Sequence, residues 1–170
     1  LFRSLNMQLV REFFELNLFY VLPHWQFGEA PRDSDAAGSL LFVEQPKPAV
    51  PCELECLLQP GDVQSIQRAV VEVRAWHADR LYASAIESSP VFSRVASEQT
   101  RSLAETVFNS IEYKIVLVVS EFPASPEKRD KALNILQGNG IDHVIEFPTI
   151  LADMLRLIAP HNNYAPSQTL

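Results

Sequence analysis

The sequence predicts a mixed α/β (α+β) fold, in which one central sheet starts as an antiparallel meander, continues with parallel strands and is flanked by helices. Three observations predict it. Three strand-like segments fall between Leu18 and Trp76, and no helix long enough to cross a sheet separates them. After them, apolar strands alternate with helical patterns, as crossover units require. Tyr113–Val119 (YKIVLVV) is a continuous apolar run, the mark of a strand buried on both faces. The order is α-β-β-β-α-β-α-β-α, which departs from a doubly wound sheet, where a helix follows every strand.

The elements follow in turn. Ser4 to about Leu16 reads as an amphipathic helix, with Leu5, Leu9, Phe13 and Leu16 on one stripe, widened by Val10 and Phe14, and Gln8, Arg11, Glu12 and Glu15 opposite. Leu18–Leu22 is a strand stopped by Pro23, and Gly28–Gly38 reads as a long hairpin loop. Ser39–Val43 (SLLFV) is a short buried strand. Prolines 46, 48, 51 and 60 exclude regular structure after it, and Asp62 is placed to cap a helical turn through Gln67. Ala69–Trp76 (AVVEVRAW) is a β-branched strand with Glu72 and Arg74 on one side. Pro90–Phe108 carries one helical pattern. Pro126–Gln137 is a helix started by Ser125 and ended by Gly138 and Gly140. Asp142–Phe147 is a further strand, and Thr149–Ile158 a last helix stopped by Pro160.

A chain of 170 residues, 47% hydrophobic, is read as one domain over residues 1–170. With 14 basic against 21 acidic side chains the net charge is −7, which argues against a protein that coats duplex nucleic acid through its phosphates. Cys52 and Cys56 stand four apart with no second pair, and are read as incidental thiols rather than zinc ligands. No apolar run reaches the ~20 residues of a membrane helix and no signal peptide is legible, so the expected location is the cytoplasm, with no membrane partner.

Glu72-Val73-Arg74 is the constellation with most chemistry in it. The two charges share one face of an otherwise apolar strand, so burial of that face would oblige each to find a partner. Either the pair serves phosphodiester chemistry or it is an ordinary ion pair. Trp76, His77 and Asp79 follow, where a histidine near an acid suits proton transfer or a single loop hydrogen bond. His143, on an apolar strand, is read as structural. Gly138-Asn139-Gly140 closes a helix instead of opening one, so it is not a phosphate loop. Ser120 lacks the flanking glycines of a nucleophile elbow.

The layout resembles the α-β-β-β-α-β core of the PD-(D/E)XK restriction-endonuclease-like superfamily, with a C-terminal β-α extension. Three strings carry the resemblance: LVREFFELNLFYV, SLLFVEQP and AVVEVRAWHADR, followed by DHVIEFPTIL. It implies that Glu72 matches the metal-binding carboxylate, Arg74 stands at the lysine position, Ser39 stands where an aspartate belongs, and Glu12 matches an acid some members hold on the first helix. Two of the three signature positions therefore depart. A neutral serine is a poor Mg²⁺ ligand. Arginine keeps the charge but does not give up a proton.

The leading expectation is a degenerate nuclease-like domain, acting as a non-catalytic scaffold or interaction module in a DNA-linked process, with no cofactor. The resemblance further implies a weak DNA contact and a homodimer or protein partner. A second reading is an active Mg²⁺-dependent endonuclease in which Asp35 or Asp33 joins Glu72 as metal ligand. A third is an unrelated α/β binding domain, and it is favoured if Ala69–Trp76 does not lie between Ser39–Val43 and Tyr113–Val119.

Overall fold

The computed structural model describes residues 2–22, 40–48, 53–74 and 80–158. Helix α1 (Phe2–Leu16) buries the stripe Leu9, Val10, Phe13 and Phe14. It ends in a tight backbone cap. Leu18 N donates to Glu15 O and Phe19 N to Phe14 O, both at 3.0 Å, while Leu18 takes a left-handed φ of 65°. The rings of Phe14 and Phe19 meet edge to face at 5.2 Å, the apolar contact that accompanies such caps. The expected strand over Leu18–Leu22 is thereby shortened to β1 (Tyr20–Leu22), because Leu18 and Phe19 close the helix. A leucine in this conformation costs ~1–2 kcal/mol.

The remaining strands are β2 (Leu40–Glu44), β3 (Arg68–Arg74), β4 (Lys114–Val119) and β5 (His143–Glu146). They form one five-stranded sheet in the order β1-β2-β3-β4-β5. The first two pairings are antiparallel and the last two parallel. This is a mixed sheet flanked by helices, an α+β arrangement, and β3 lies between β2 and β4. The antiparallel half is local because β1 and β2 are neighbours in sequence. The parallel half needs helical crossovers, supplied by α2 (Ala83–Ser88), α3 (Pro90–Val95) and α4 (Glu98–Phe108) before β4, and by α5 (Pro126–Gly138) before β5.

Each face of the sheet has its own core. Ala69, Val71, Val73, Val116, Val118 and Ile145 pack with α1 and with α6 (Phe147–Ile158). On the other face, Phe42 and Val70 meet Ala104 and Phe108 of α4. Beside them Ile115, Leu117, Val119 and Val144 pack with Ile86, Phe92, Val95, Ala132 and Leu136. Trimming one such fully buried aliphatic side chain to alanine costs ~2–5 kcal/mol.

The structure corrects three further local expectations. The single helical pattern over Pro90–Phe108 is two helices, α3 and α4, preceded by the unforeseen α2. Ser97 makes the break. Its hydroxyl accepts from Thr100 N at 3.3 Å and so starts α4 afresh, an N-cap inside what sequence periodicity reads as one helix. Asp62 does not cap its turn. It is the first residue of a short 3-10 turn, Asp62–Ser65, and its Oδ2 accepts backwards from Gln59 N at 2.8 Å. Helix α6 begins at Phe147, two residues before the expected Thr149, directly after β5.

The outer edge of β5 is covered. Leu57 bridges Val144 in parallel, with Leu58 N donating to Val144 O at 2.9 Å and Val144 N to Cys56 O at 2.7 Å. The segment before β3 thus satisfies polar groups that an open edge would leave exposed. No described helix is long and apolar enough to cross a membrane.

Candidate functional site

The alternation of β3 sends Ala69, Val71 and Val73 toward α1 and α6, and Val70, Glu72 and Arg74 to the opposite face. Glu72 sits between Leu40 of β2 and Leu117 of β4, and Arg74 beside Val119. The Glu72 environment is therefore apolar on both flanks, and the residue is only 2% exposed. A lone carboxylate there would carry an effective burial cost of several kcal/mol. Arg74 offsets it: Nη2 lies 2.5 Å from Glu72 Oε1. The pair forms because residues two apart on a strand share a face and the guanidinium reaches back along it.

This geometry has a definite chemistry. Glu72 Oε1 is held by a cation supplied by its own strand. A divalent ion approaching that oxygen has to displace the guanidinium or share the carboxylate with it. Arg74 neutralises negative charge but does not serve as a general base. Glu12 lies half-buried on α1, where its Oε1 accepts from Gln8 Nε2 at 3.4 Å. The apolar stripe of that helix covers the face of β3 opposite to Glu72. Asp33, Asp35, Ser39, Cys52, Trp76, His77 and Asp79 lie outside the described residues. The structure therefore brings Glu72 and Arg74 together, and the migrated-ligand reading through Asp35 falls on undescribed chain.

His143 is structural, as its apolar strand implies. It is 7% exposed, and Nδ1 lies 2.9 Å from the carbonyl of Glu55. A carbonyl only accepts, so Nδ1 carries the proton. The bond holds the edge-covering segment. Cys56, on that segment, is a free half-buried thiol. Burial and the nearby Asp142 push its pKa up to about 11, leaving it a weak nucleophile near neutral pH. Asp142 also accepts from Ile115 N at 2.7 Å, and Glu146 from Phe122 N at 2.7 Å, so both acids brace strand ends.

One buried charge escapes a reading of the strands. Asp153 of α6 is 1% exposed, and Arg156 donates to its Oδ1 through Nε at 2.8 Å and Nη2 at 2.6 Å. Its Oδ2 is buried without a hydrogen-bond partner. The available signal was positional: Asp153 lies three residues after Ile150 and one before Met154, inside the apolar stripe of the helix. Among the described residues no three histidine, cysteine, aspartate or glutamate side chains gather as metal ligands would.

Comparison with protein-family models, with curated proteins and with solved structures finds no match to this chain.

Proposed function

We propose that this chain is a restriction-endonuclease-like domain whose catalytic motif has degenerated and which acts as a non-catalytic scaffold or interaction module. The observation that carries the reading is the closed Glu72–Arg74 pair on the central strand of the sheet. The metal-binding carboxylate of the motif faces a guanidinium supplied from the same strand, and the position two residues on carries a charge that does not give up its proton. Placement of β3 between an antiparallel and a parallel neighbour supports this reading. We take the setting to be cytoplasmic and DNA-linked, with a weak DNA contact and a homodimer or protein partner.

Two measurements test this. Titration calorimetry with Mn²⁺ at millimolar concentration is expected to give no binding heat. Incubation with plasmid and with single-stranded DNA in Mg²⁺ or Mn²⁺ is expected to leave both intact. Cleavage that disappears in Glu72→Ala overturns the proposal in favour of an active nuclease. Metal binding lost in Asp35→Ala points to the migrated ligand.

A further inference from the structure

We draw no further inference here: the strongest candidate, the buried Oδ2 of Asp153 on α6, belongs to no group of three metal-ligating side chains among the described residues, and nothing in the structure shows what would meet it.

Discussion

Among the described residues two carboxylates are buried, each with an arginine from its own element, and the two pairs are built differently. On β3 the strand repeat puts Glu72 and Arg74 side by side, and both are withdrawn from water: their side chains are 3% and 13% exposed. On α6 the helical i, i+3 spacing joins Asp153 to Arg156, and there the carboxylate is buried at 1% while the arginine is 54% exposed. The strand pair desolvates two charges. The helix pair desolvates one and leaves the cation largely hydrated, a difference that decides how much each pair resists disruption.

The largest effect is expected at the strand. Arg74→Ala leaves Glu72 buried without its guanidinium and should destabilise by about 3–5 kcal/mol in denaturant unfolding, a large share of a typical ~5–15 kcal/mol. The double change Glu72→Leu with Arg74→Met should recover most of that, because apolar replacement of a buried pair is often neutral or stabilising. A double variant as unstable as Arg74→Ala would mean that strand packing, not the loss of the guanidinium, sets the cost. Arg156→Ala also strands a buried carboxylate, but trimming a side chain that is 54% exposed opens Asp153 Oδ1 to water, so the cost should be smaller, about 1–3 kcal/mol. Equal losses at Arg74 and Arg156 would show that the two pairs resist disruption alike.

The smallest effect concerns the half-buried Cys56 thiol, for which burial and Asp142 both oppose the charged form. Its folded pKa of about 11 lies above the unperturbed 9.0. The stabilising contribution of this group is therefore whole below pH 9 and fades as pH rises toward 11. In a Cys52→Ser background, iodoacetamide should label the native protein slowly at pH 8, with a rate still climbing between pH 9 and 11. In denaturant the rise should level off about two pH units earlier. Native labelling that levels off near pH 9 would contradict the burial argument.

Much of this was legible in the sequence, for physical reasons that can be named. Tyr113–Val119 announces an interior strand because burial on both faces demands an unbroken apolar run, and β4 covers Lys114–Val119. The meander followed by parallel strands was legible from the spacing of helices alone. Where reading failed, a short-range polar group competed with periodicity. The Ser97 hydroxyl restarts a helix that the apolar spacing would have continued, and the left-handed turn at Leu18 takes residues with good strand propensity. The site was half legible. Alternation placed Glu72 and Arg74 on one face, but whether that face met water depended on α2–α5, whose packing no local pattern reports. Asp153 was overlooked because a charged residue is ordinarily assigned to the solvated side of its helix.

The covering of β5 also bears on how the chain folds. His143 and the Glu55 carbonyl it meets are 88 residues apart, so the last parallel pairing closes a circuit running through β3, four helices and β4. Such a closure has a high entropic barrier and forms only after the intervening elements are placed. The amide protons of Leu58 and Val144, tied across this seam, should then exchange with solvent only on global opening, and should be among the slowest in the molecule.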